Sequence, residues 1–269
     1  MNIKKVGIDA GGSLVKIAYE DSGVFHYKKY PIRELTSALE WIKMVAPNAK
    51  VALTGGKAAF MKDQFFPEGK IFPEFDSTCE GAMFLLKEAK IDTTKKLVIV
   101  NIGTGTSWFV AENNNYTRIF GSGIGGGTLM GLGALLTGET DFIKLVELAS
   151  KGNKGNVDLL VKDIYYPQEP PIDGNLTASN FAKGVINPNS SKEDKAAAVI
   201  NMIGETLVLL SMQAVTAFHA DRLVYIGSTL AGNEPLKQCL SSYKKMVGID
   251  HVFLDHGEYC GALGALLLL

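Results

Sequence analysis

A chain of 269 residues allows one large domain or two medium ones, and an apolar share of 46% supports a sizeable core. A formal net charge of -1, with scattered basic residues, argues against nucleic acid or an anionic membrane as partner. No charged-then-apolar leader opens the chain and no apolar run approaches the roughly 20 residues of a membrane span, so a cytoplasmic protein is expected. Cys79, Cys239 and Cys260, like His26, His219, His251 and His256, lie in no metal-ligand spacing and fit a reducing compartment.

Residues 4–19 read as a hairpin. Val6 and Ile8 end a buried strand, Gly11-Gly12 form a tight turn, and Leu14 to Tyr19 return. The turn exposes backbone N–H groups beside Ser13 and Lys16, a concavity suited to phosphate oxygens. Asp9 at its mouth repels phosphate but suits a divalent cation that phosphates share. An ordinary Gly-Gly hairpin capped by Asp9 fits the same residues. This is no Walker A loop, since no helix follows it.

Val24 to Tyr30 is a third strand, closed by Pro31. Leu35, Leu39, Ile42 and Val45 recur at helical spacing, and Lys50 to Leu53 form a buried strand ending in Thr54-Gly55-Gly56. A helix over 57–66 and a short strand at Ile71-Phe72 lead to Pro73. Asp76 or Ser77 is expected to cap the next helix, with Ala82, Leu85, Leu86 and Ala89 on its apolar face and Glu74 just outside.

Leu97 to Ile102 is an apolar strand, turned by Gly103-Thr104-Gly105-Thr106-Ser107 into Trp108 to Ala111; Asn113 to Asn115 then turn into Tyr116 to Phe120. This repeats the opening scheme and suggests a duplicated architecture. Gly121 to Gly127 opens a helix through Leu129, Leu132, Leu135 and Leu136, and a second helix covers 139–149, capped near Thr140 or Asp141. Residues 152–189 read as irregular, a flap or specificity insert. The dense apolar pattern from Lys192 to Phe218 predicts a buried helix at an inter-domain or dimer face. Leu223 to Ile226 end in Gly227-Ser228-Thr229, a turn placed to meet a nucleotide; Val252 to Leu254 and a small-residue helix over 260–265 close the chain.

Glycine loops at strand ends, rich in hydroxyls, point to a polyphosphate whose transfer backbone donors and a metal can assist. Transfer needs a base, and Glu74 or Asp76 offers one unless both only cap or solvate the helix start. Arg118 can clamp an anionic group through paired N–H bonds or form a surface salt bridge. The Gly-x-Gly-x-x-Gly at 121–126 matches a dinucleotide fingerprint but follows an antiparallel hairpin, the wrong context for one.

These residues together resemble the type II (eukaryotic-like) pantothenate kinases, bacterial short form, within the acetate and sugar kinase, heat-shock chaperone and actin superfamily. The resemblance runs from Val6-Gly-Ile-Asp-Ala-Gly-Gly-Ser-Leu-Val-Lys16 through Glu74-Phe-Asp76, Asn101-Ile-Gly-Thr-Gly-Thr-Ser107 and Gly123-Ile-Gly-Gly-Gly127 to Tyr225-Ile-Gly-Ser228 and Gly261-Ala-Leu-Gly-Ala265. It implies an α/β, actin-like and ribonuclease H-like duplicated fold, with two lobes over 1–96 and 97–269, each a mixed sheet flanked by helices.

The resemblance also implies ATP- and Mg2+-dependent phosphorylation of pantothenate in a homodimer. Asp9, Ala10, Gly11, Gly12, Ser13, Leu14, Val15 and Lys16 match the first phosphate segment, with Asp9 toward the metal, and Thr104 lies in the second. Gly126, Gly127, Thr128, Leu129 and Met130 match a nucleotide-binding stretch, with Phe142 beside it in place of the usual tyrosine, and Ser228 matches the adenosine-side loop. Glu74 matches the proton acceptor and Arg118 the arginine that meets pantothenate. Related readings are a superfamily kinase acting on an amino sugar such as N-acetylglucosamine, and a regulator that binds CoA or ATP without turnover.

Overall fold

The structure, a computed structural model, describes residues 3–244 and 248–269. By compactness the chain forms two units, Met1–Gly121 with Ala214–Ala231 and Ile249–Leu269, and Ser122–Gln213 with Gly232–Gly248.

The first unit holds two five-stranded sheets. Strands β1 (Lys5–Ala10), β2 (Leu14–Asp21) and β3 (Val24–Pro31) form an antiparallel meander, and β4 (Lys50–Thr54) and β5 (Lys70–Ile71) add in parallel on the other side of β1, in the order β3-β2-β1-β4-β5. The second sheet repeats this wiring. β6 (Leu97–Ile102) pairs antiparallel with β7 (Thr106–Glu112), β8 (Asn115–Ser122) lies beyond, and β11 (Arg222–Ile226) and β12 (Asp250–Phe253) add in parallel, in the order β12-β11-β6-β7-β8. The duplication read from the glycine turns is thus a duplication of topology.

Helix α1 (Leu35–Val45) packs Leu39 and Ile42, and α2 (Ala58–Gln64) packs Met61, into a core with Val6, Ile8, Val15 and Ile17 of the first sheet. A second core takes Ala18 from β2, Leu97, Ile99, Phe109, Val224 and Ile226 from the second sheet, Cys79, Ala82 and Leu86 from α3 (Glu74–Glu88), and Cys260, Ala262 and Leu263 from α9 (Cys260–Leu267).

Helix α9 approaches its neighbours so closely that only glycine fits at the crossings. A Cβ on Gly264 would lie 1.7 Å from the Ser77 carbonyl oxygen, one on Gly81 2.1 Å from that of Cys260, and one on Gly7 1.9 Å from that of Ala262. These contacts are backbone on backbone, so no side-chain rotation relieves them.

The second unit is built on α4 (Gly126–Thr137), α5 (Phe142–Lys151), α6 (Val161–Tyr165), most of α7 (Lys192–Phe218) and α8 (Glu234–Ser242), with a small ribbon of β9 (Leu159–Leu160) and β10 (Thr177–Ser179).

Several expectations need correction. Glu74 is not outside its helix but opens it. Pro73 stands at the N-cap with φ -57°, no side chain caps the end, and the Ser77 N–H already donates to the Pro73 carbonyl at 3.0 Å, so Ser77 lies inside the first turn. Helix α5 begins at Phe142, not 139, because the Glu139 carboxylate accepts from the N–H groups of Thr140 and Asp141 and holds that stretch in a turn. Of the two expected caps, Asp141 is the one used, accepting from the Lys144 N–H at 3.0 Å. The expected helix through Leu129, Leu132, Leu135 and Leu136 forms as α4. Leu129 is buried but Leu135 is 83% exposed, since this helix is apolar on all sides and its sequence marks no single buried stripe.

Residues 152–189 carry short helical turns and the β9–β10 ribbon, not one irregular stretch. Arg118 lies inside β8, which runs on to Ser122, and not at a strand end. Helix α7 is by length and composition apolar enough to cross a membrane, against the expectation that no run approaches that length; 61% of its apolar window is buried inside the fold, as in a core helix.

Gly264→Ala and Gly81→Ala are each expected to destabilise at or above the upper end of the roughly 1–3 kcal/mol typical of overpacking. Chemical denaturation read by circular dichroism checks this, and Gly56→Ala, where an added Cβ meets nothing within 4 Å, serves as the silent control.

Candidate functional site

The site in the first unit grows from the end of β1. Asp9 stands opposite Lys16 across the hairpin and opposite Thr54 on the parallel side. Lys16 Nζ lies 3.7 Å from Asp9 Oδ2. The turn between them is closed by the Gly11 N–H donating to the Leu14 carbonyl at 3.1 Å, and the Ile32 N–H donates to the Ser13 carbonyl at 2.9 Å. Ala10 and Val15 face the core, while Gly11, Gly12, Ser13 and Leu14 form the open rim.

The buried Asp9 carboxylate sits in a glycine cradle. A Cβ on Gly55, which has φ +85°, would lie 2.5 Å from Asp9 Oδ1, and one on Gly261 would lie 2.7 Å from Oδ2. Both carboxylate oxygens therefore border space that any larger residue would fill. Such a carboxylate fits a hard divalent cation sharing its remaining ligands with phosphate oxygens and water. No group of three His, Cys, Asp or Glu that could hold a metal gathers among the described residues.

The second glycine loop meets the first. Ser13 Oγ lies 2.9 Å from Thr104 Oγ1, with either hydroxyl able to donate. Within that loop the Gly103 N–H donates to the Gly105 carbonyl at 2.9 Å. The third loop rests on the second. Thr229 donates through its N–H to the Ile102 carbonyl at 3.0 Å and through its hydroxyl to the Gly103 carbonyl at 2.8 Å. Gly227, at φ +110°, has no room for a side chain beside the Ile102 carbonyl, and Ser228 is left half-buried on the turn.

Glu74 reaches this cluster because β4 steers it there. At the end of β4, the Thr54 hydroxyl donates to the Phe72 carbonyl at 3.0 Å, and the Phe72 N–H donates to the Leu53 carbonyl at 2.9 Å. Pro73 then starts α3. Glu74 keeps an exposed edge, yet enough protein surrounds its carboxyl that desolvation raises its pKa above the ordinary value. Asp9 raises it further and Lys16 pulls it back. Asp76, the other candidate, sits exposed in the same first turn, where its charge suits the helix dipole.

Arg118 is placed on the other side of Glu74's neighbour. Its guanidinium carbon lies 5.1 Å from the centre of the Phe75 ring, and its Nε–H points at Ser107 Oγ at 3.4 Å. Among the described residues it joins no ion pair, so the salt-bridge reading does not hold.

In the second unit, Gly126, Gly127, Thr128, Leu129 and Met130 form the first turn of α4. The Thr128 hydroxyl donates to the Gly123 carbonyl at 2.9 Å and accepts from the Gly125 N–H at 3.4 Å. Phe142 is the half-buried first residue of α5. Sequence reasoning missed Gly55 and Gly261 as the walls of Asp9, and Phe75 as the support of Arg118. A glycine following a buried strand was the only sign of the first.

Comparison with known proteins gives the family and the fold. The Fumble family model matches residues 20–268. A type II pantothenate kinase of Oceanobacillus iheyensis is 41% identical over 265 residues, covering 98% of this chain and 99% of that one. Those of Bacillus cereus (strain G9842) and Staphylococcus saprophyticus are 38% and 35% identical, each over 98% of this chain and over 98% and 100% of their own. Among solved structures, component A of the (R)-2-hydroxyglutaryl-CoA dehydratase of Acidaminococcus fermentans superposes with a TM-score of 0.67 at 18% identity, over 100% of this chain and 97% of that one. A ROK family glucokinase from Streptomyces griseus, in complex with glucose and AMPPNP, does so with 0.58 at 12%, over 99% of each. At those identities the likeness is one of fold, the duplicated actin-like, ribonuclease H-like α/β architecture. From the match of the family model over residues 20–268 and relatives 38–41% identical over 98% of the chain, the chain belongs to the Fumble family of type II pantothenate kinases.

Proposed function

We propose that this chain transfers the γ-phosphoryl group of ATP to the primary hydroxyl of pantothenate, giving 4'-phosphopantothenate, the first step of coenzyme A synthesis. The observation that carries it is the meeting of two hydroxyl-bearing glycine loops, at 2.9 Å between Ser13 and Thr104, beside a carboxyl of raised proton affinity at Glu74. Family membership supplies the acceptor.

In this reading Glu74 takes the hydroxyl proton as the oxygen attacks. Desolvation and the charge of Asp9 raise its affinity for that proton, as a general base requires. The Gly12 backbone N–H, with Ser13, Lys16 and Thr104, holds phosphate oxygens, while the Gly11 N–H is taken up in closing the turn, and such fixed donors stabilise the charge of the transferring group without reorganisation. Asp9 holds Mg2+, which when bound neutralises charge on the phosphates. Arg118 orients the pantothenate carboxylate. Ser228, the Gly126 to Met130 turn and Phe142 serve the nucleotide. The working form is a cytoplasmic homodimer, with lobes over 1–96 and 97–269 that follow the two sheets.

ADP release by the purified protein is expected to depend on pantothenate and not on N-acetylglucosamine or glycerol; turnover of the amino sugar alone overturns the acceptor. Glu74→Gln is expected to lower kcat by about 10² or more with ATP binding spared. Arg118→Ala should raise KM for pantothenate by about tenfold and that for ATP far less.

The raised pKa of Glu74 gives a further test. A carboxyl with a higher pKa in the folded state binds more protons there, so its contribution to stability is complete at low pH and is lost as pH rises from the ordinary 4.5 through the raised value. Ionised Glu74 therefore burdens the fold at neutral pH. Glu74→Gln should melt higher than the parent there, the gain shrinking as pH falls toward 4.5, while the acidic limb of kcat/KM in the parent lies above 4.5. Melting curves and rate profiles across pH check both.

A further inference from the structure

Phe75 poses a question that its neighbours do not. It sits at the second position of α3 with 44% of its surface exposed, so it contributes little as a core residue. Its ring lies 5.5 Å from that of Phe109, which is fully buried in the second core and so fixed. The Arg118 guanidinium carbon lies over the Phe75 ring. At the edge of the guanidinium the Nε–H faces Ser107 Oγ. Gly121 completes the seat, because a Cβ there would lie 2.2 Å from one terminal nitrogen of Arg118.

This arrangement holds a cation without neutralising it. A carboxylate partner would fix the guanidinium equally well but cancel the charge that an anionic ligand needs. An aromatic face attracts the cation through its quadrupole and does not occupy the terminal N–H groups as a carboxylate would. Glu74 and Phe75 are adjacent at the start of one helix, where successive side chains point to different faces. One turn of α3 thus sends a carboxyl toward Asp9 and Lys16 and a ring under Arg118. The spacing of base and cation is set by helix geometry and not by loop conformation.

We propose that Phe75 is a positioning residue that holds the Arg118 guanidinium, charge intact, for the anionic end of the acceptor, with Ser107 and Gly121 completing the seat. This rests on the acceptor reading above. It makes acceptor selectivity depend on a residue that need not touch the acceptor.

The test compares Phe75→Ala, Phe75→Leu and Phe75→Tyr with Arg118→Ala and the Phe75→Ala/Arg118→Ala double variant. Each is assayed for KM of pantothenate and of ATP and for kcat, and pantothenate binding is measured directly by calorimetry. Phe75→Ala and Phe75→Leu are expected to raise KM for pantothenate by roughly tenfold, with KM for ATP within about twofold of the parent. Phe75→Tyr should restore it, and the double variant should be no worse than Arg118→Ala, because both act through one guanidinium. Phe75→Leu keeps an apolar side chain at the position, so it carries the test if the alanine variant folds poorly. A readout independent of turnover is the Arg118 Nε–H proton resonance, shifted by the ring current in the parent and in Phe75→Tyr and unshifted in Phe75→Leu. Additive losses in the double variant, equal losses for ATP and pantothenate, or a leucine variant that matches the parent would overturn the proposal. A parent protein with no pantothenate-dependent ADP release but an intact ring-current shift would overturn the acceptor reading instead and leave the seat standing.

Discussion

Everything in the first unit depends on how closely helix α9 can lie against β1 and α3. Gly7, Gly81 and Gly264 bring backbone against backbone at distances where a methyl group would overlap a carbonyl oxygen, and Gly261 extends the same seam to the Asp9 carboxylate. Close approach of this kind gains dispersion contacts along the crossing and leaves no room for the helices to slide. It also fixes the two acidic groups of the candidate site relative to each other. Asp9 lies one residue before the end of β1 and Glu74 begins α3, the two elements that α9 packs together.

Electrostatics then follows from geometry. The site gathers Asp9, Glu74, Lys16 and Arg118 within one unit, and each is held by a different device. Asp9 is walled by glycines and paired at one oxygen with Lys16. Glu74 is raised in pKa by partial burial and by the neighbouring like charge. Arg118 is supported by a ring and a hydroxyl. Such a cluster costs stability, since like charges and a desolvated carboxyl oppose the compact state, and the glycine seam behind it supplies the packing that tolerates them.

Much of this was legible in the chain. Short apolar runs bounded by glycine turns gave the strands, and the repeated order of strand, hydroxyl-rich glycine turn and strand revealed the duplication that the sheet wiring bears out. Helix starts were less legible where a side chain competed with the expected cap. Glu139 binds the next two N–H groups and delays α5, and Pro73 opens α3 so that the carboxylate expected outside the helix becomes its first residue. Long-range contacts left the faintest trace. Nothing local to Gly55 or Gly261 says that each faces Asp9, because the reason for each glycine lies on another element. The leucines of α4 marked the helix but not its buried side, since a helix apolar on every side gives periodicity no face to select.

The placement of Gly261 has a bearing on folding as well as on structure. The hairpin of β1 and β2 pairs residues close in sequence, whereas one wall around the Asp9 carboxylate comes from α9, far along the chain. Pairing of the hairpin is therefore a local event with little loop entropy to overcome, while the enclosure of its carboxylate is a long-range one, completed only when α9 docks.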